Sequence, residues 1–240
     1  MRSPKRSDRI SALTRELRGF IFDLDGVIVN TVDLHYRAWK QLFDELGVIF
    51  SRSDMERLRG VHRREILLSV IGKLDEAQVS AHLSRKDALY KELLNQTPDE
   101  ILHTPVVNLL REAKARGLKI GLASSSVNAH HVLEIIRLKP LFDVIADGNT
   151  VSRSKPAPDI FIWVAGGLGL HPAEIIVVED GSAGVQAALT GGMYVVGIDI
   201  RDSIVRPHLN LSMDTLNYDR IVSLYHLRNA ATTRSATAAS

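Results

Sequence analysis

Residues Gly19–Leu24 read GFIFDL, a short apolar run that stops at Asp25-Gly26. Its length and its polar end predict a strand buried on both faces. A second run of this kind does not come until Leu118–Ala123, LKIGLA. Between the two, apolar residues recur at helical spacing: Leu34, Ala38, Leu42 and Leu46, with Gly47 to close that helix. Met55 to Leu94 continues mostly helical, with breaks near Gly60-Val61-His62 and at Gly72. After Pro98 the pattern changes. Helix is expected over Val106–Arg116, Ala129–Leu138, Pro156–Gly166 and Ala183–Leu189. Strands are expected at Leu118–Ala123, Val144–Asp147, Glu174–Val178 and Tyr194–Ile198. Alternating strand and helix predicts a parallel sheet covered on both faces, with right-handed crossovers. The expectation is therefore an α/β, Rossmann-like parallel sheet core, residues 18–31 and 100–228. An all-helical cap, residues 32–99, is inserted after the first strand. Residues 1–17 are expected to form a disordered arm and 229–240 a disordered, small and polar tail.

Composition narrows the function classes. The 240 residues carry 30 Lys+Arg against 28 Asp+Glu, a net charge of +2, too small for a dedicated nucleic-acid surface. Cysteine is absent, so disulfides and thiolate chemistry are excluded. No segment approaches the ~20 apolar residues of a membrane span, and basic Met1–Arg9 lacks the apolar stretch of a secretory signal. A soluble, cytoplasmic protein with no protein partner implied is expected. Gly181-Ser182-Ala183-Gly184 is not a serine nucleophile elbow. Gly167-Leu168-Gly169 follows a helix and lacks the third glycine of a dinucleotide fingerprint.

Two expected strands end in acidic pairs, Asp23-Leu24-Asp25 and Glu179-Asp180. Ligands of open parallel sheets bind at the carboxyl ends of strands, near the point where strand order reverses. If these strands are neighbours, four carboxylates converge there, and like charges so close favour a cation among them. Hard oxygen donors without cysteine point to Mg²⁺. Asp23 and Asp25, two residues apart, share one side of the strand, with Leu24 turned into packing.

These residues carry a resemblance. Phe22-Asp23-Leu24-Asp25-Gly26-Val27 with Thr31 resembles the first motif of the haloacid dehalogenase superfamily of phosphotransferases. Ser124 resembles its second, Lys155-Pro156 its third and Glu179-Asp180 its fourth, all in the expected order. Within the superfamily the chain is similar to the β-phosphoglucomutase branch. That likeness rests on Thr31–Lys40 (with His35, Arg37 and Trp39), on Gly60-Val61-His62-Arg63 and on Leu122–Asn128.

The resemblance implies roles. Asp23 is the nucleophile that becomes an aspartyl phosphate, and Asp25 the general acid/base. Asp23, Asp180, Glu179 and the Asp25 carbonyl hold Mg²⁺. Ser124 and Lys155 hold the transferring phosphoryl oxygens. Gly60, Val61, Arg63, Ser126 and Asn128 line a distal phosphate site, and Lys86 faces the sugar from the cap. His35 supports the loop that carries Asp25, and Thr31 the hinge. Taken singly, Ser124 also reads as a helix cap, Lys155 and Arg63 as surface charges, and His35 as a structural histidine. The chain departs from the branch at Val127, where a Lys is frequent, at Asp87, where an Asn is frequent, and at Asn30, where an acid is usual.

Three functions remain open at this stage. One is a mutase interconverting β-glucose 1-phosphate and glucose 6-phosphate through a bisphosphate. The second is a Mg²⁺-dependent sugar-phosphate phosphatase. The third is a phosphate-binding regulatory module without catalysis, which would have no need of the Asp23/Asp25 pair.

Overall fold

The computed structural model describes residues 16–58, 61, 63–96, 101–202 and 204–238. Most of the expected arm thus lies outside the described residues, as does Gly60.

Six parallel strands form one sheet in the order β3-β2-β1-β4-β5-β6. They are β1 (Gly19–Phe22), β2 (Lys119–Ala123), β3 (Val144–Ala146), β4 (Ile175–Glu179), β5 (Tyr194–Ile198) and β6 (Leu209–Leu211). β1 sits at the centre, with Phe22 level with Leu122 of β2 and Val178 of β4. Its residues divide by the period of two: Phe20 and Phe22 enter one core, Ile21 the other. That two-sided burial is why the run contains no polar residue before Asp23.

Helices α1 (Val32–Glu45), α2 (Arg52–Arg57), α3 (Arg63–Ile71) and α4 (Glu76–Gln96) follow β1 without an intervening strand, as the helical spacing predicts. α1 buries Leu34, Ala38, Trp39, Leu42 and Phe43 on one stripe. The Trp39 and Phe43 rings stack 5.3 Å apart. Ser51 caps α2 in a reciprocal box. Its hydroxyl accepts from the Asp54 N–H at 3.2 Å, and its own N–H donates to Asp54 Oδ2 at 2.9 Å.

The chain leaves and re-enters the core side by side. Val29 and Leu102 form an antiparallel bridge. The Asn30 N–H donates to the Ile101 carbonyl at 2.6 Å, and the His103 N–H to the Ile28 carbonyl at 2.9 Å.

The sheet is covered by α5 (Thr104–Ala115), α6 (Ala129–Ile135), α7 (Asp159–Leu168), α8 (Ser182–Thr190) and α9 (Tyr218–Ala238). Two features differ from the sequence expectation. β6 is three residues long and offers no periodic signal to read. Residues 229–238, expected within a disordered tail, instead continue α9. Tyr218 to Ala238 contains no Gly or Pro to stop a helix, and Ala is its best former. No helix of the described residues is long and apolar enough to cross a membrane.

Candidate active site

The central position of β1 between β2 and β4 makes its carboxyl end the point where strand order reverses. Asp23 stands one residue beyond β1, and its N–H still donates to the Val178 carbonyl of β4 at 3.1 Å. Lys155 reaches in from the loop before α7. Its Nζ donates to Asp23 Oδ1 at 2.6 Å, Glu179 Oε1 at 2.7 Å and the Ala123 carbonyl at 2.9 Å. Three acceptors account for all three ammonium protons. The Lys155 side chain is 8% exposed, so it is not a surface lysine. Burial alone would lower its pKa, but Asp23 and Glu179 outweigh that and hold the ammonium charged well above its ordinary range.

Glu179 is fixed from both ends, since its Oε2 accepts from the Gly181 N–H at 2.9 Å. It lies against Gly184 of α8, where a Cβ would overlap the carboxylate. Gly26, at φ +90°, has the Asp180 carboxylate where its Cβ would stand. The turn after β1 can therefore close over Asp180 only with glycine at this position.

Burial pushes the Asp23 carboxyl well up. Lys155 pulls against this, while Glu179, Asp180 and Asp25 push it further. Among the described residues no three His, Cys, Asp or Glu side chains form a ready metal cage. The donors nevertheless suit a hard divalent cation: they are carboxylates that repel one another in a buried crevice, and such a cation would relieve that repulsion.

Asp25 occupies a second network. Thr31 Oγ1 donates to Asp25 Oδ1, and His35 Nε2 stands 3.6 Å from the same oxygen. Lys86, from α4 of the cap, meets the other imidazole nitrogen, with Nζ 3.0 Å from His35 Nδ1. An ammonium can only donate, so Nδ1 accepts and the ring proton sits on Nε2, towards Asp25. Burial and Lys86 lower the His35 pKa, which keeps the ring neutral. Burial acts to raise Asp25, but the His35 and Thr31 bonds outweigh it, and the carboxyl stands below its ordinary value. The His35 ring is stacked on Tyr90 with centroids 4.3 Å apart. His35 is thus both packed and connected to the site.

Both networks open into one cavity of about 310 Å³, a volume suited to a small ligand. Asp23, Asp25, Thr31, Lys155, Glu179 and Asp180 line its core side, and His35, Val61, Arg63 and Lys86 its cap side. Ser126 and Asn128 also reach it, whereas Ser124 is not among its lining residues. Ser124 is 1% exposed and accepts from the Ser126 N–H at 3.0 Å, so it shapes the serine turn and is not a helix cap. His130 and His131, adjacent on α6, are absent from the cavity lining, and Nε2 of the half-buried His131 is enclosed. Sequence reasoning assigned no role to Met55, Leu58 and Ile66, which form an apolar wall. Their helical spacing is indistinguishable from ordinary core packing. Asp87 was noticed only as a departure. It lines the cavity and pairs with Arg63, Nη1 to Oδ2 at 2.5 Å.

A haloacid dehalogenase-like hydrolase family model matches residues 20–198, a span running from β1 to the end of β5. The chain belongs to that family. Among curated proteins, the β-phosphoglucomutase of Bacillus subtilis is 34% identical over 213 residues, covering 84% of this chain and 94% of that protein. A fructose-1-phosphate phosphatase of Escherichia coli is 31% identical, covering 75% of this chain and 95% of its own length. The crystal structure of a β-phosphoglucomutase from Clostridium difficile superposes with a TM-score of 0.81 at 32% identity, covering 88% of this chain and 98% of that one.

Proposed function

We propose that this chain is a phosphomutase of the β-phosphoglucomutase type, interconverting β-glucose 1-phosphate and glucose 6-phosphate. The observation that carries the reading is a single cavity with cationic groups at two separated places, Lys155 beside Asp23 on the core and Arg63 with Lys86 on the cap. A hydrolase needs to hold one phosphoryl group. A mutase must hold a second one away from the nucleophile. The similarity to β-phosphoglucomutases along nearly the whole chain supports the same reading.

Asp23 attacks the phosphorus, the bond to the sugar oxygen breaks, and an aspartyl phosphate forms. Asp25 gives a proton to the departing oxygen, and as a carboxylate it takes one from the next attacking hydroxyl. Its low pKa suits the second role at rest, and the neutral His35 holds it in place without competing for the proton. Phosphorylated Asp23 gives its phosphoryl group to the 6-hydroxyl of glucose 1-phosphate. The resulting 1,6-bisphosphate, turned end for end, returns the 1-phosphoryl group to Asp23. Lys155 pairs with the phosphoryl oxygens, while Glu179 and the Ala123 carbonyl keep its ammonium aimed. Ser126, Asn128 and Arg63 hold the far phosphate. Asp23, Asp180 and the Asp25 carbonyl would hold Mg²⁺. When bound, Mg²⁺ neutralises the repulsion between carboxylate and phosphate.

A phosphatase acting on sugar phosphates is the second reading, favoured by the pairing of Arg63 with Asp87. A coupled assay on purified protein with β-glucose 1-phosphate, a trace of the 1,6-bisphosphate and Mg²⁺ separates the two. Glucose 6-phosphate in large excess over free phosphate is expected, and free phosphate as the main product would install the phosphatase reading. Asp23→Asn should lower either flux by at least about a thousandfold, because an amide does not attack phosphorus. Near-parental turnover in that variant removes the mechanism.

A further inference from the structure

Arg63 opens α3, and Asp87 lies in the middle of α4, 24 positions away. Their side chains meet inside the cavity at 2.5 Å and are only 33% and 21% exposed. The pair is partly shielded from solvent, so Asp87 offsets part of the field that Arg63 presents to a ligand. Of the other cavity-lining cations, Lys155 is paired with Asp23 and Glu179, while Lys86 donates to the neutral His35 and feels the charges of Asp87 and Asp25. Val127 adds no charge to the same wall. A phosphoryl group that reaches Arg63 sits beside a carboxylate that already engages Nη1.

Resting on the two-phosphate reading above, we propose that Asp87 is a specificity-determining residue of the cap, which weakens the hold of Arg63 on a second phosphoryl group. A sugar bisphosphate is thereby released more readily than the cationic cap side alone would allow. The effect passes through the guanidinium: without Arg63 there is no phosphate contact for Asp87 to oppose.

The test is a double-mutant cycle read by calorimetric binding of glucose 1,6-bisphosphate in saturating Mg²⁺, on full-length protein carrying Asp23→Asn to stop turnover. Asp87→Asn is expected to tighten binding about tenfold, and Asp87→Ser, which also removes the charge, by a similar factor. Adding Arg63→Ala should cancel the gain. Unchanged or weaker binding in both charge-free variants overturns the proposal. So does a gain that persists without Arg63, which would place the effect on neighbouring Lys86. Absence of bisphosphate binding in the Asp23→Asn parent overturns the two-phosphate reading as well, a result distinguishable from measurable binding that Asp87 does not alter.

Discussion

Lys86 is placed where an ammonium is costly. It is 4% exposed, with Nζ 5.5 Å from the Trp39 ring centroid and 4.9 Å from that of Tyr90. Burial lowers its pKa to about 8, against the pull of Asp87 and Asp25. Lys86 is therefore charged at neutral pH and loses its proton as pH rises through about 8. If the cation is needed, kcat/KM falls above that pH, approaching about tenfold per unit. Lys86→Arg keeps its charge throughout and should remove this limb even where it lowers the plateau. A rate–pH profile with the same alkaline limb in both proteins would dissociate the limb from Lys86. At this scale the sequence disclosed the types of residue but not their pairings. Asp23, Asp25 and Lys155 stood out because they sit at predicted strand ends or before a proline. The Lys86–His35 and Arg63–Asp87 contacts join positions 51 and 24 apart, and no local pattern encodes them.

The turn from β4 into α8 shows how an element is fitted to a side chain. Gly184 is the third residue of α8, a position where glycine costs helix stability. The compensation is room: Glu179 lies where a Cβ would be, and Glu179 in turn holds Lys155. Gly184→Ala should fold, lose about 1–3 kcal/mol to overpacking, and lose activity out of proportion by displacing Glu179. Thermal melting and kcat measured together check this. Parental kcat in a folded Gly184→Ala protein would show that the position of Glu179 is immaterial. The bounded apolar runs of β1 and β5 and the helical period of α1 were legible in advance. Three-residue β6 was not, because its place is set by pairing with β5 in the sheet.

At the scale of the whole molecule, the interrupted pattern of one strand followed by helices fixed the two-part architecture. At the C-terminus the small, polar composition predicts disorder, whereas the chain continues α9 to Ala238. Global stability should carry a signature of the sheet edge. His208 Nδ1 accepts from the Val195 N–H of β5 at 2.9 Å, and the ring stacks on Tyr194 at 4.8 Å. Burial, aided by Arg228, lowers its pKa from 6.5 to about 4. The unfolded chain therefore binds the proton first, and the contribution of His208 to stability is lost as pH falls from 6.5 towards 4. His208→Phe keeps a ring but lacks the acceptor. Its urea midpoint should lie below the parent's at about pH 7, with the gap narrowing at about pH 4.5. An equal gap at both pH values would assign the histidine a packing role alone.

The seam where the chain enters and leaves the cap lies close to the loop that bears Asp25. The Gly26 N–H donates to the Val29 carbonyl at 2.7 Å, and Val29 is bridged both to Asp25 and to Leu102. A rotation of the helical layer about that seam would act on the Asp25 loop through Val29. His35 and Lys86 both belong to that layer, so lifting it would carry the pair away from Asp25 together. On the proposed function, Asp25 would then be out of register while the roof stands open, and phosphorylated Asp23 would be spared loss of its phosphoryl group to bulk solvent.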